Sequence, residues 1–145
     1  MKLSTRSRYG ARLMVDLALH YNQGPVQLSE ISKRQDISVK YLEQILIPLK
    51  KAGYVVTVRG PKGGYMLADP PEEITMAQIV ELLEGRRNLV ACMANPEICS
   101  RSEACITKNL WEELTEMIYE KLESITLADL AEKARRKDEN RKEME

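Results

Sequence analysis

The stretch from Leu28 to Leu67 constrains the fold most, because it reads as two short helices followed at once by a pair of strands. Ser38 is a favourable N-cap residue for the second helix, and Gly53 is typical of a helix end. Apolar residues between them recur at the i, i+3, i+4, i+7 spacing that gives a helix one buried face. These residues are Leu42, Ile45, Leu46 and Leu49. With a shorter helix over residues 28–35, the pattern predicts a helix-turn-helix.

A β-hairpin is predicted directly after the second helix. Tyr54 to Val58 is aromatic and β-branched, residues 59–64 supply glycine and proline for a turn, and Tyr65 to Leu67 forms the returning strand. Glycines and two cations at the tip allow a close approach to phosphates or a minor groove, although an ordinary solvated turn also fits this segment taken alone. Two helices and a hairpin together predict a winged helix-turn-helix.

This arrangement gives the chain a polar helix face and a basic hairpin tip that suit double-stranded DNA. The early turns of a recognition helix reach base edges in the major groove, and cations of a wing contact phosphates. The candidate DNA-binding residues are Ser38, Lys40, Tyr41, Glu43 and Gln44 on the helix, and Arg59 and Lys62 on the hairpin. For Tyr41, packing against the neighbouring helix is the open alternative.

The formal net charge of zero hides a strong asymmetry. Residues 1–68 hold 11 Lys and Arg against 4 Asp and Glu, whereas residues 69–145 hold 11 against 18. The basic half therefore suits a polyanion, and the acidic half does not. A first helix is predicted from Thr5 to Asn22, and its residues Arg6, Arg8 and Arg12 are candidate phosphate contacts, with a solvated helix face as the alternative.

Two segments of the basic half resemble the IscR family of bacterial winged-helix regulators. They are Ile37-Ser38-x-x-Tyr41-Leu42-Glu43-Gln44 and Val58-Arg59-Gly60-Pro61-x-Gly63-Gly64-Tyr65. The likeness extends over nearly the whole chain, except the last dozen residues. It implies a mainly α fold with a small β-wing, in which residues 1–68 form the DNA-binding domain and a long C-terminal helix forms a homodimer.

The remaining elements are predicted from composition and periodicity. Residues 69–131 begin with a stiff, extended linker around Pro70 and Pro71, and a helix over residues 75–84 and a loop over residues 85–105 follow. The longest helix is predicted from Lys108 to Ile125, and its apolar stripe is broader than a solvated helix needs. The candidate dimerisation residues are Trp111, Leu114, Ile118, Leu122 and Ile125. Residues 132–145 are charged and are expected to be disordered.

The loop over residues 85–105 holds all three cysteines of the chain, Cys92, Cys99 and Cys105. Their spacing is too wide for zinc sites built on C-x2-4-C pairs, and structural zinc takes four ligands. Spacing alone leaves an iron-sulfur cluster, zinc and free thiols open. The resemblance implies an iron-sulfur cluster of the [2Fe-2S] type, because the family's cluster-binding members carry three cysteines in this loop.

The fourth ligand of such a cluster stays unassigned. Enterobacterial members of the family carry a His at the third position after the last cysteine, where this chain has Lys108, whose protonated ammonium is no ligand. Other members use an Asp or Glu of the first helix, where this chain has Arg8. Glu97, Glu103, His20 of the partner subunit and solvent remain candidates.

These observations predict a dimeric transcription regulator that senses iron-sulfur cluster status or redox state and controls cluster-assembly genes. The alternative is a cluster-free repressor switched by thiol oxidation or by a partner protein, for example in cysteine metabolism. A third interpretation is an electron carrier, which would not need a basic recognition helix. No nucleophile-base constellation is present, so an enzyme with a small-molecule substrate is not expected. With no signal peptide and no membrane-length apolar run, the expected location is cytoplasmic.

Overall fold

A computed structural model of the protein describes residues 2–85 and 88–145. Within these ranges the fold is mainly α with one two-stranded antiparallel sheet, as predicted. The helices and strands are α1 (Thr5–Leu19), α2 (Leu28–Gln35), α3 (Val39–Lys51), β1 (Val55–Val58), β2 (Gly64–Leu67), α4 (Met76–Glu84), α5 (Ala91–Ala94), α6 (Ile106–Glu123) and α7 (Leu127–Glu143). Short 3-10 turns cover Pro71–Glu73 and Pro96–Ile98.

The helix-turn-helix forms as the sequence predicts. Ser38 caps α3, because its hydroxyl oxygen accepts the N–H of Tyr41 at 3.2 Å. All four apolar residues of the predicted face of α3 are buried, and Gly53 follows the helix at φ +84°. In the turn before α3, Asp36 adopts the left-handed conformation at φ +52°. The hydroxyl of Ser32 donates to the carbonyl of Ile37 at 2.6 Å, which closes this turn.

The wing is fastened to the segment in front of α2. Val55 pairs with Leu67 and Val58 with Gly64 across the hairpin. Val26 and Tyr65 then exchange two backbone hydrogen bonds of 2.8 Å on the other side of β2. A Cβ on Gly64 would lie 2.3 Å from the carbonyl oxygen of Val26, so glycine is required for this approach. The position of the wing therefore follows from backbone packing.

One hydrophobic core spans both halves of the chain. Leu13 and Leu17 of α1 are buried together with Ile79 of α4 and Leu127 of α7. Gly10 lets α4 pack closely on α1, because a Cβ there would lie 2.1 Å from the Leu83 Cδ1 atom. The segments in front of α4 and α7 also meet, since the N–H of Leu127 donates to the carbonyl of Ile74 at 2.9 Å.

The end of α4 contacts the beginning of α1. The carboxylate of Glu84 accepts the Ser4 hydroxyl at 2.5 Å and the hydroxyl of Ser7, and the Ser4 N–H lies 3.3 Å from both of its oxygens. The first N–H groups of a helix have no partner within the helix, and an anion there is favourable. Glu84, the last residue before the loop over residues 85–105, thus holds the end of α4 to the start of α1.

Several predicted boundaries are wrong. Helix α1 ends at Leu19 rather than at Asn22, because the chain turns and Asn22 adopts φ +64°. Helix α6 begins at Ile106 and ends at Glu123. The expected extended linker contains the 3-10 turn Pro71–Glu73, in which Pro71 is buried beside α7. The expected continuous loop contains α5 and a second 3-10 turn.

The expectation of a disordered C-terminal tail also differs from the structure, in which α7 continues to Glu143. A capping box starts this helix, with the Thr126 N–H donating to the Asp129 carboxylate at 2.9 Å and the Asp129 N–H donating to the Thr126 hydroxyl at 3.1 Å. Leu127 and Ala131 anchor the first turns in the core. Once a helix is nucleated, each further residue adds one hydrogen bond, so the charged part propagates without apolar contacts.

A buried carboxylate holds α2 against α1. Asp16 is 1% exposed and accepts hydrogen bonds from Arg34 Nε at 3.0 Å, Arg34 Nη2 at 2.8 Å and Gln35 Nε2 at 2.9 Å. Burial raises the pKa of Asp16, but the hydrogen bonds from Arg34 and Gln35 and the charges of Arg34 and His20 outweigh it and hold the pKa below its ordinary 3.8. Asp16 therefore stays ionised in the folded protein.

We expect Asp16→Asn to lower the free energy of unfolding at neutral pH by about 3 kcal/mol, the low end for a broken buried ion pair, because Arg34 keeps contact with solvent. The pKa of Asp16 is lower in the folded state, so its stabilisation is complete above the unfolded-state pKa of about 3.9 and is lost as pH falls through the folded-state pKa. Denaturant unfolding across this pH range measures the difference.

The exposed Asp36→Asn variant is the matched control, since Asn tolerates the left-handed conformation and the change should stay within about 0.5 kcal/mol. A difference between wild type and Asp16→Asn that did not shrink on acidification would contradict an ionised Asp16.

Candidate nucleic-acid interface and cysteine loop

The outer face of α3 carries the predicted base-contacting side chains. Lys40, Glu43 and Gln44 are all exposed, on the side opposite the buried apolar stripe. Ser38 is exposed as well, but its hydroxyl is engaged in capping the helix. Tyr41 is half-buried and its ring meets that of Tyr9 edge-on, with 5.6 Å between centroids and 79° between planes. Packing is therefore observed for Tyr41, and its contact with DNA stays a prediction.

The wing presents its two cations to solvent. Arg59 and Lys62 are exposed. Gly60 lies at the tip at φ +112° with open space around its Cα, so the backbone of the tip is accessible. Gly63 has a different role from the one expected, because a Cβ there would lie 2.0 Å from the carbonyl oxygen of Val58. Gly60 therefore leaves the tip of the wing open, whereas Gly63 allows the two sides of the hairpin to pack closely.

The three arginines of α1 differ in their surroundings. Arg6 is exposed, and Arg8 donates to the Thr5 hydroxyl at 3.2 Å. Arg12 is engaged with α2, since its Nε donates to the side-chain oxygen of Gln35 at 3.2 Å and its Nη2 donates to the backbone carbonyl of Gln35. A phosphate contact is therefore compatible with Arg6 and requires Arg12 to leave an existing partner.

The three cysteines lie apart from one another along the loop, and all are free thiols. Cys92 is half-buried in α5, Cys99 is exposed after the second 3-10 turn, and Cys105 is the half-buried N-cap of α6. In the part of the chain that the structure describes, no group of three or more His, Cys, Asp or Glu residues is placed to hold a metal ion. Thiolates suit iron-sulfur clusters chemically, but the described residues do not gather them into one ligand set.

The candidates for a fourth ligand do not complete such a set either. Glu97 and Glu103 are exposed, and the Nδ1 atom of His20 lies 2.8 Å from the carbonyl of Asp16, on α1. The ammonium of Lys108 donates to the buried Ser102 hydroxyl at 3.1 Å and lies 3.9 Å from the Glu112 carboxylate. Lys108 thus helps to fold the loop onto the start of α6.

Cys105 has the environment of a reactive thiol. The Thr107 hydroxyl lies 3.2 Å from its Sγ atom. This contact, the backbone N–H groups of Lys108 and Thr107 and the charge of Lys108 lower the pKa of Cys105 from its ordinary 9.0, against a smaller opposing effect of burial. A thiol at a helix N-terminus beside a cation is typical of cysteines that form the thiolate near neutral pH.

The apolar surface of α6 is divided between two faces. Leu122 and the following Ile125 pack against the core of the same chain, and Ile118 lines a cavity of about 680 Å³ between α6, α4 and the start of α1. On another face, Ile106 is 86% exposed, Leu110 46% and Met117 61%. In the described chain Thr115 is the one buried residue of α6. Sequence analysis missed Ile106, because it placed the start of this helix two residues later.

Comparison with known proteins identifies the family. Residues 3–133 match the family model Rrf2, described as an iron-dependent transcriptional regulator. The chain belongs to the Rrf2 family. It is 44% identical over 130 residues to protein rrf2 of Nitratidesulfovibrio vulgaris, covering 90% of this chain and 87% of that protein. Members of this family are transcriptional regulators that bind DNA, and not enzymes, as the sequence analysis predicts.

Two solved structures share the fold. IscR of T. potens is 41% identical with a TM-score of 0.76, covering 92% of this chain and 88% of its own. CymR, the global cysteine regulator of B. subtilis, is 36% identical with a TM-score of 0.78, covering 91% and 97%. The likeness to IscR agrees with the resemblance seen in the sequence. Because CymR matches equally well, fold similarity does not separate iron-sulfur sensing from cysteine regulation.

Helices capable of spanning a bilayer are absent from residues 2–85 and 88–145.

Side chains that sequence analysis did not assign include Asp16, Arg34, Gln35 and Glu84, all of which pair over long sequence distances. The one available signal was Asp16 itself, a charged residue on the apolar face of α1 between Leu13 and Leu17.

The contacts of Cys105 predict a testable reactivity. We expect Thr107→Val, which removes the largest cause of the lowered pKa, to slow the reaction of Cys105 with iodoacetamide at neutral pH. Alkylation at each cysteine is followed by mass spectrometry over time. Cys99 is the internal control, and its rate should not change. Equal Cys105 rates in both proteins would contradict the role of the Thr107 hydroxyl.

Proposed function

We propose that two copies of this chain bind one site on double-stranded DNA, each with α3 in the major groove and its wing on the flanking phosphates. The observation that carries this proposal is the geometry of the N-terminal half. Helix α3 turns Lys40, Glu43 and Gln44 outward. The wing, which Val26 holds through two backbone hydrogen bonds with Tyr65, carries Arg59 and Lys62 exposed at its tip. Paired half-sites are read by two-fold symmetric proteins of this class.

Dimerisation is proposed through α6. Its exposed apolar residues Ile106, Leu110 and Met117, together with the half-buried Trp111 and Leu114 on the same helix, support an apolar seam between two copies. Exposed apolar surface of this kind on a soluble chain marks an interaction site. Of the other candidates, Ile118 lines the cavity between α6, α4 and the start of α1, and Leu122 and Ile125 pack against the core of their own chain.

The cysteine loop is proposed as the sensor. Cys92, Cys99 and Cys105 supply the thiolates that an iron-sulfur cluster would need, and a [2Fe-2S] cluster would add a reversible redox centre to the loop. The named likeness to IscR supports this form. The alternative is a thiol switch without a cluster, which is supported by the lowered pKa of Cys105 and by the engagement of Lys108 with Ser102.

The DNA-binding proposal predicts the effect of Arg59→Ala. If Arg59 contacts one phosphate, the variant should bind a duplex selected from a random-sequence pool more weakly, and the slope of log affinity against log salt should flatten by about 0.9. Fluorescence anisotropy at several salt concentrations measures both, and sedimentation should show two protomers for each wild-type complex.

Arg101→Ala is the matched control, since Arg101 is an exposed arginine of the acidic half and its removal should leave the slope unchanged. An unchanged slope in Arg59→Ala would remove the wing from the proposed interface. In contrast, Gln44→Ala should alter which duplexes are selected, because a good base contact discriminates by about 1 to 3 kcal/mol.

The sensor proposal predicts that anaerobically purified protein, supplied with iron and sulfide, becomes coloured and binds both elements. Replacing any one of the three cysteines by Ala should abolish the colour while the melting temperature of the apo-protein stays unchanged. Ser100→Ala is the control within the loop. Lys108→His should prolong the life of the coloured form in air, because an imidazole adds a ligand that an ammonium does not.

A colourless protein that retains three titratable thiols after this treatment would exclude the cluster form. The thiol switch would then be tested by comparing DNA binding before and after oxidation of Cys105.

A further inference from the structure

Arg12 of α1 contacts the end of α2 and an aromatic ring of its own helix. Its Nε donates to the side-chain oxygen of Gln35 at 3.2 Å, and its Nη2 donates to the backbone carbonyl of the same residue. Its guanidinium also lies over the ring of Tyr9, 5.4 Å from the centroid. One side chain of α1 thus holds the last residue of α2 and an aromatic ring of α1 together.

The carbonyl that Arg12 binds lies at the end of α2, directly before the turn that leads into α3. Gln35 is the final residue of α2, where helix carbonyls lack partners within the helix and a cation is favourable. The next residue, Asp36, makes the left-handed turn that leads into α3. The amide of Gln35 is held from the other side by the Asp16 carboxylate at 2.9 Å. Arg12 therefore fixes the end of α2 from which the direction of α3 is set.

A second path leads from Arg12 to the first turn of α3. Tyr9, under the guanidinium, meets the ring of Tyr41 edge-on at 5.6 Å. Tyr41 lies one helical position from Lys40 and two from Glu43, which both face outward. Aromatic pairs of this geometry have preferred orientations, so the stack restrains the turn of α3 that would approach the bases.

We propose that Arg12 is a positioning residue for sequence recognition: it orients the first turn of α3 through Gln35 and through the Tyr9–Tyr41 pair, and it does not contact a phosphate. This inference rests on the proposed function, in which α3 lies in the major groove. Arginine is suited to this role because its planar fork donates twice and stacks on a ring, whereas lysine offers a single point charge. A phosphate contact, in contrast, is largely retained by lysine.

The test compares Arg12→Lys and Arg12→Met with wild type and with Arg101→Lys, a control at an exposed arginine of the acidic half. Each protein is titrated, at several salt concentrations, with the duplex that wild type selects from a random pool and with a scrambled duplex of equal composition. We expect Arg12→Lys to lose about tenfold in affinity for the selected duplex only, as for one misplaced base contact. The salt slope and the melting temperature should stay unchanged, also in Arg12→Met.

Three results would overturn the inference. Wild-type affinity in Arg12→Lys, with a slope flattened by about 0.9 in Arg12→Met, would identify a phosphate contact. Parallel losses on both duplexes with a lower melting temperature would identify a purely structural role. Additive losses in a double-mutant cycle of Arg12→Lys with Tyr41→Leu would show that Arg12 does not act through Tyr41. If wild type selects no sequence at all, the proposed function itself fails, and this inference fails with it.

Discussion

The carboxylate of Asp16 is the contact on which the N-terminal half depends. A charge with 1% exposure is tolerated in a protein interior only when its oxygens are fully paired, and Arg34 and Gln35 supply that pairing from the last turn of α2. Pairing Asp16 also fixes the position of α2, because the side chains of its last two residues have to reach α1. Helix α3 begins at Val39, after a three-residue turn in which Asp36 is left-handed, so the placement of α2 also sets the direction of the outer face of α3.

Local signals explain what the sequence could predict. The signals for α3 act within or next to one helix: the N-cap Ser38, the helix-ending Gly53 and the spacing of Leu42 and Ile45. They were enough to predict α3 and its exposed polar face. Contacts between distant residues escaped prediction, such as Glu84 with Ser7, because sequence spacing carries no information about them. The three cysteines were evident from the chain. Their placement in α5, after the second 3-10 turn and at the start of α6 was not, because it depends on how the loop folds. Helix α7 was missed because composition outweighed the capping box that starts it.

The cysteine loop ends on a thiol, Cys105, at the start of α6. The contacts around Cys105 favour its thiolate, which is the form that both binds iron and reacts with oxidants. Lys108 contributes its charge to this thiolate and ties Ser102 to α6, so the residue that departs from the enterobacterial pattern also supports the fold of the loop.

The shared core has a consequence for where such a chain can be divided. Ile79 and Leu127 are buried with Leu13 and Leu17 of α1, so a boundary at residue 68 separates two charge patterns but cuts through one body of packed side chains. A gene fragment ending after the wing would leave the rear of α1 open to water. Residues 1–68 accordingly do not contain a complete core of their own, because the rear of α1 is covered by side chains of α4 and α7.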